Sequence, residues 1–241
     1  MFASKRALLR GLVALGLTTA AWLPLAAHAA DATAPDALIR QLSLETIEAV
    51  KADKAIQAGD VQKIIALVYS KVMPNINFQR MTASAVGRFW RQATPEQQKR
   101  LQEEYKTLVV RSYAGALTQV RDQTVALKPL RAAAEDTEVL VRTEIRGKGD
   151  PIQLDYRLEK INGAWKIYDV NVQGIWLADQ SRSPFAQIIS ANGIDGLIKA
   201  LAEGKNKNGD VKMGDAEAKA KAAMDTKHNK DNKKDSKSPP K

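Results

Sequence analysis

Between Thr124 and Val172 apolar and polar residues alternate with a period of two, whereas before and after that stretch the period lengthens to between three and four. The first pattern belongs to strands with one buried face, the second to helices with one apolar stripe. The alternation is cleanest where Ile152, Leu154, Tyr156 and Leu158 interleave with Gln153, Asp155, Arg157 and Glu159. The Asn162-Gly163 pair that follows favours the positive φ angles of a type I′ turn, so the next strand returns antiparallel. In that strand Trp165 and Ile167 give way to Tyr168, Val170 and Val172. This needs either apolar groups on both faces or a bulge that shifts the face. Upstream, Val139, Val141, Thr143 and Ile145 predict a strand that ends at the Gly147–Pro151 loop. Val125 and Leu127, running into Pro129, predict an edge strand.

The longer period marks helices. Asp36 to Ala58 carries Leu38, Leu42, Ile47 and Val50, with Gly59 as its stop. Asp60 predicts the cap of a helix holding Ile64, Ile65, Leu67 and Val68, ended at Met73-Pro74 because a residue before proline disfavours the α region. Asn77 caps another with Phe78, Met81, Val86, Phe89 and Trp90. Thr94-Pro95-Glu96-Gln97 is the strongest start signal, with a Thr cap, Pro at the first helical position and Gln at the third. The helix it opens runs to about Val120, with Leu101, Tyr105, Leu108, Val109, Ser112 and Ala116 as its core-facing stripe. Ser183-Pro184 predicts the cap of a helix ending at Asn192-Gly193, before a last amphipathic segment from Ile194 to Glu203. Helices, a four-stranded antiparallel meander, then helices again make an α+β fold with the sheet covered by helices on one side.

Composition trims both ends of the 241-residue chain. Residues 1–29 read as a signal peptide: Lys5, Arg6 and Arg10, an apolar run from Gly11 to Leu25, and the small-residue site Ala27-His28-Ala29. Residues 204–241 are rich in Lys, Asp, Asn and Ala without an aromatic, a composition expected to stay disordered. One domain, 30–203, is left between them. The formal charge of +10 shrinks with this division. Three basic residues lie in the signal segment, and eleven Lys face seven acids from Glu203 onward. The core keeps 23 basic and 20 acidic residues, which is no footprint for nucleic acid.

Chemistry is removed in the same way. The two histidines, His28 and His228, fall outside the core, and the chain has no cysteine. Triads built on His, thiol catalysis and Cys- or His-ligated metals are therefore excluded from the domain. Gly147-Lys148-Gly149 lacks the third glycine and the strand–helix setting of a phosphate loop. Asp155 and Asp169 lie on facing strands, but Asp155 belongs to the polar alternation and reads as solvated. What stands out is apolar material: Phe78, Met81, Tyr105, Leu108 and Val109 on helices, and Val139, Val141, Ile145, Leu154, Tyr156 and Leu158 on strands. Such residues either fill a core or line a cavity, and the pattern is the same for both.

The segment Trp165-Lys166-Ile167-Tyr168-Asp169-Val170, then Val172, Gly174, Arg182-Ser183 and Phe185, resembles the signature of the periplasmic MlaC-type phospholipid-binding proteins, the toluene-tolerance auxiliary family. Met73-Pro74, Phe78, Met81, Ala85, Gly87, Trp90–Gln97, Tyr113 and Leu117 fit the same pattern, so the likeness spans roughly Asp36 to Leu201. It implies a helical layer on a curved sheet, similar to the nuclear-transport-factor (NTF2-like) fold, around an apolar cavity. Met73, Val170, Val172, Trp176 and Phe185 then join the apolar set as cavity candidates, with phospholipid as cargo and no cofactor. It implies two partners, an inner-membrane ABC transporter with a ring-forming substrate-binding subunit and an outer-membrane lipoprotein–porin complex. The implied role is to shuttle phospholipid through the periplasm and maintain outer-membrane lipid asymmetry. Trp176 stands where the family usually has a small polar residue, and a bulky group there would reshape the cavity mouth; Ser181 and Pro184 also depart from the pattern. Arg182 either bonds backbone carbonyls at the corner or stands near a head group. The alternatives are a small NTF2-like enzyme using Asp169, Tyr156 or Tyr105 in the cavity, and an interaction module with a filled core.

Overall fold

Carboxylates and hydroxyls at helix starts decide much of the N-terminal half. The structure, a computed structural model, describes residues 34–206. The signal segment 1–29 and all but the first residues of the Lys-rich tail lie outside the described residues. Helix α1 (Pro35–Ala52) opens with proline and buries Ile39, Leu42, Ile47 and Val50. The single helix expected from Asp36 to Ala58 breaks at Asp53, whose backbone is extended (φ −95°, ψ 107°). Its carboxylate accepts from the N–H groups of Ala55 and Ile56 and starts α2 (Lys54–Gln57). A short acidic side chain offers the orphan donors of a new helix start a partner, and so competes with continuing the old one. Asp60 repeats this for α3 (Val61–Leu67) through Gln62 and Lys63. The next residues do not run straight to Met73-Pro74. Val68–Val72 widens into a π turn and Met73–Asn75 tightens into a 3-10 turn.

Asn77 Oδ1 accepts from Arg80 N and starts α4 (Phe78–Val86), and a 3-10 turn from Gly87 to Gln92 leads on. Helix α5 (Pro95–Leu117) begins with the expected capping box: Thr94 Oγ1 accepts from Gln97 N at 3.2 Å and Gln97 Oε1 from Thr94 N at 3.0 Å. Thr94→Ala leaves one of these donors without its partner and is expected to cost about 1 kcal/mol. Urea unfolding of the purified chain checks this, and an unchanged midpoint contradicts it.

Five antiparallel strands follow in the order β1 (Thr124–Leu127), β2 (Glu138–Arg146), β3 (Ile152–Ile161), β4 (Ala164–Val172), β5 (Ile175–Trp176). The first four are the expected meander. The fifth is a two-residue return after Gln173-Gly174, both at positive φ, and is too short to leave a period in the sequence. Asn162 (φ 50°) and Gly163 (φ 84°) make the β3–β4 turn. A bulge settles the β4 pattern: Arg157 pairs with Asp169 and Leu158 with Ile167, so Tyr168 is the extra residue. Ile167, Val170 and Val172 thereby face the same side. Before β5 begins, the edge of β4 is covered by Asn77 N, which donates to Ile167 O at 2.7 Å. That contact covers part of the edge that the two-residue β5 leaves open.

The last helix, α6 (Leu177–Asn206), starts well before the expected Ser183-Pro184 cap and kinks at Gly193 (φ 71°, ψ 179°). Its start signal is not local. Asp169 on β4 accepts through Oδ1 from Ala178 N at 3.2 Å as well as from its own neighbour Val170 N at 3.0 Å. Pro184 consequently falls inside the helix rather than at its head. None of the described helices is long and apolar enough to cross a membrane.

Candidate functional site

Three apolar clusters hold the domain together. One gathers α4, α5 and α6 around Tyr105 and includes Met81, Leu108, Phe185 and Leu197. A second lays Ile39 and Leu42 of α1 on Val139, Val141, Leu158 and Ile167 of the sheet. The third joins Val50, Ile56 and Ile64 to Ala114 of α5. They do not close over one another. Between them lies a cavity of about 300 Å³.

Each wall follows from a period already described. Helix α1 contributes Ile39, Leu42, Ser43, Thr46 and Ile47, one stripe of its surface. The π turn and the 3-10 turn contribute Val68, Val72 and Met73, followed by Ile76. The second half of α5 and the turn after it supply Val109, Val110, Tyr113, Ala114, Ala116, Leu117, Val120 and Gln123. Ile145 of β2, Ile152, Leu154 and Tyr156 of β3, and Ile167, Val170 and Val172 of β4 form the floor, with Leu177 beside it. Only Ser43, Thr46, Tyr113, Gln123 and Tyr156 bring polar side-chain atoms, and no carboxylate, histidine, lysine or arginine lines the wall. Burial pushes the Tyr156 phenol up to about 12, against a smaller opposing influence of the Ser43 and Thr143 hydroxyls. It is a neutral donor at physiological pH, not a base.

Of the residues singled out from the sequence, Met73, Val109, Ile145, Leu154, Tyr156, Val170 and Val172 stand in this wall. Phe78, Met81, Tyr105, Leu108 and Phe185 stand instead in the filled cluster between α4, α5 and α6. There Tyr105 meets Phe78 and Phe185 edge-on, with ring centroids 6.0 and 5.3 Å away. Burial pushes the Tyr105 phenol well above its ordinary range, and its oxygen lies 3.1 Å from Leu177 O and 2.9 Å from Ser181 Oγ. Val139, Val141 and Leu158 share the sheet's inner face but sit under α1, where Ile39 and Leu42 fill the space above them. Trp176 is not in the wall. It pairs with Asn171 across β4 and β5, and the Arg157 guanidinium lies 3.8 Å over its ring.

The two carboxylates differ: Asp155, expected to be solvated, is buried with Oδ1 lacking a hydrogen-bond partner, because the strand's polar face is covered there, whereas Asp169 is engaged. Asp155 pairs across the sheet with Arg142 and Asn171, not with Asp169. Asp169 is buried, accepts from Arg157 at 3.1 Å and caps α6, so it lies outside the cavity wall in a structural role. Arg182 donates from Nε to Ser84 O at 3.1 Å and pairs with Asp179 at 2.9 Å, which ties α6 to the end of α4. Among the described residues no group of three or more carboxylates or histidines could hold a metal ion. The other wall residues were missed from the sequence as cavity residues, most of them helical, among them Leu42, Ser43, Thr46, Val72, Val110 and Leu117. Their helical spacing was visible, but nothing in it says that the opposite wall stands back.

The profile of the MlaC protein family matches residues 40–203. The chain belongs to the MlaC family. Relatives bear that out at lower resolution: it is 22% identical over 175 residues to the intermembrane phospholipid transport system binding protein MlaC of Haemophilus influenzae, covering 71% of this chain and 82% of that one. It is 31% identical over 125 residues to toluene tolerance protein ttg2D of Pseudomonas putida, covering 49% of this chain and 58% of the relative. A solved phospholipid-binding protein from Ralstonia solanacearum, in complex with a phospholipid, shares 45% identity and a TM-score of 0.68 over 72% of this chain and 96% of its own. As an MlaC-family fold the chain is a helical layer on an open antiparallel sheet, with five strands where the pattern promised four.

Proposed function

We propose that this chain is a periplasmic phospholipid carrier whose cavity encloses acyl chains during transfer between the two membranes. The observation that carries it is a 300 Å³ apolar cavity, with no carboxylate, histidine, lysine or arginine in its wall, in an MlaC-family chain 45% identical to a protein solved with phospholipid. The physics asks for such a wall. Each methylene exposed to water costs about 0.8 kcal/mol, so freeing a two-tailed lipid costs on the order of 20 kcal/mol. A carrier lowers that barrier by enclosing the tails, and it needs no reactive group to do so. Pockets for drug-sized ligands start near ~300 Å³. A two-tailed lipid is larger, so loading widens the cavity.

In this reading residues 1–29 serve as the export signal, and the domain exchanges lipid with two complexes. One is an inner-membrane ABC transporter with its ring-forming substrate-binding subunit, the other an outer-membrane lipoprotein–porin assembly. The chain itself is not an enzyme in this reading: Tyr105 and Asp169 are engaged away from the cavity, and Tyr156, which does line it, has its phenol pushed up to about 12 by burial with no carboxylate, histidine, lysine or arginine in the wall beside it. Native mass spectrometry and organic extraction of the purified full chain test the proposal. Phospholipid bound in roughly stoichiometric amount is the expected result. Recovery of no phospholipid, together with no uptake from labelled vesicles, would overturn it.

A further inference from the structure

At the end of the cavity where α5 stops, two cations stand over the rim with carbonyls as partners and no carboxylate. Val120 and Gln123 of the turn after α5 line the cavity. Lys51, in the last turn of α1, donates from Nζ to Gln123 O at 3.4 Å. Arg121 donates from one guanidinium nitrogen to Thr118 O and Val120 O, both at 2.7 Å, and from the other to Gln57 O at 3.3 Å. Its backbone N–H reaches Gln123 Oε1 at 2.5 Å. Gln57 closes the knot by donating to Val50 O and Val120 O. Two exposed positive side chains therefore converge on one short stretch of rim.

Of the neighbouring carboxylates two are engaged elsewhere, and Glu48 stands exposed one turn before Lys51 on α1. Asp122 faces Lys148 at 4.0 Å and Asp53 faces Lys63 at 3.3 Å. At the opposite end of the cavity, beside Val72, Lys71 pairs with Glu45 at 3.9 Å. An ammonium has three donors and a guanidinium five. Lys51 uses one and the Arg121 side chain three, so each keeps two for another acceptor. Carbonyl contacts orient both groups without neutralising them. A phosphate diester, singly negative and rich in acceptor oxygens, is the group this arrangement suits. Tails below the rim and a phosphate at it would leave the rest of the head group in water.

We propose that Lys51 and Arg121 form a phosphate subsite at the rim and give the cavity its preference for phospholipid over uncharged lipid. This rests on the carrier reading above. Arg121 also compensates carbonyls at the C-terminal end of α5, and Lys51 one in the turn beyond it, a structural role that the test must separate. Neutral vesicles doped with labelled phosphatidylglycerol or with diacylglycerol of the same chains are incubated with the full chain. Wild type is expected to take up the phospholipid roughly three- to tenfold better, the gain that two exposed ion pairs together can supply. The double variant Lys51→Gln, Arg121→Gln is expected to lose most of that ratio with diacylglycerol uptake unchanged. Lys51→Arg with Arg121→Lys is expected to restore it.

A double Gln variant that keeps the wild-type ratio overturns the subsite. So does one that loses both lipids equally, since that is the structural role alone. Inorganic phosphate titrated against wild type and followed by ³¹P NMR separates the two sources of the anion. Binding as tight as that of the lipid would assign the pair to free phosphate and overturn the lipid assignment. Wild type that takes up neither lipid defeats the carrier reading instead.

Discussion

Ala116→Trp is expected to cut co-purifying phospholipid at least tenfold while the protein stays folded. Ala116 is a small residue in the α5 wall of the cavity. Adding bulk to a filled core usually costs about 1–3 kcal/mol through strain. At this position the indole has a cavity to enter, so strain is relieved by occupancy of the space the tails would use. Displacing only two methylenes from apolar contact, at about 0.8 kcal/mol each, already exceeds the ~1.4 kcal/mol of a tenfold change. Glu103→Trp, exposed on the same helix, is the control for helix propensity and surface stickiness. Extraction and mass spectrometry of both variants read the outcome. Equal lipid in the two would mean that the α5 wall does not bound the cargo.

Tyr105→Ala is expected to be the most destabilising single truncation in the domain, at about 3–5 kcal/mol. Tyr105 is fully buried between the edges of Phe78 and Phe185. Deleting the ring leaves a void that α4, α5 and α6 cannot all close, because each is also held to the sheet or to another helix. Tyr105→Phe keeps the ring and removes only the hydroxyl contact to Leu177 O and Ser181 Oγ. Ser181 still donates to Leu177 O at 2.9 Å, so the expected cost falls to about 1 kcal/mol. Urea denaturation separates the two. The phenylalanine variant should also keep its lipid, since Tyr105 is not in the cavity wall. Loss of lipid without loss of stability would place the phenol against the cargo and reopen an enzymatic role.

Local chemistry was read from the sequence with little loss wherever the partners are neighbours in the chain. The Thr94–Gln97 box, the Asp60 and Asn77 caps and the Asn162-Gly163 turn need only residues within a few positions, and they form as expected. Asp53 is the instructive exception among the local signals. The apolar stripe passes through it without a gap, yet its carboxylate finds Ala55 and Ile56 and starts a new helix. At α6 the miss has a different cause. Ser183-Pro184 looks like a helix start, but Asp169 on the preceding strand already supplies an acceptor to Ala178 N. No window on the helix itself contains that information.

By itself the sequence determined the α+β order, the four-strand meander, most helix starts, the absence of His and Cys from the domain and the MlaC-family motifs. Those properties depend on which side of each element turns away from water, and periodicity records that directly. Only the tertiary structure decided what each apolar face meets. Leu154 and Leu158 occupy the same strand face two turns of the alternation apart, yet one lines the cavity and the other lies under Ile39 and Leu42. Trp176 is drawn under Arg157, outside the cavity wall. Lys51 and Arg121, seventy positions apart, come to one stretch of chain only because the end of α1, α2 and the turn after α5 are tied together there. A side chain buried against a neighbour and one facing an empty space have the same hydrophobic pattern, because the pattern measures exclusion from water and not the distance to the opposite wall.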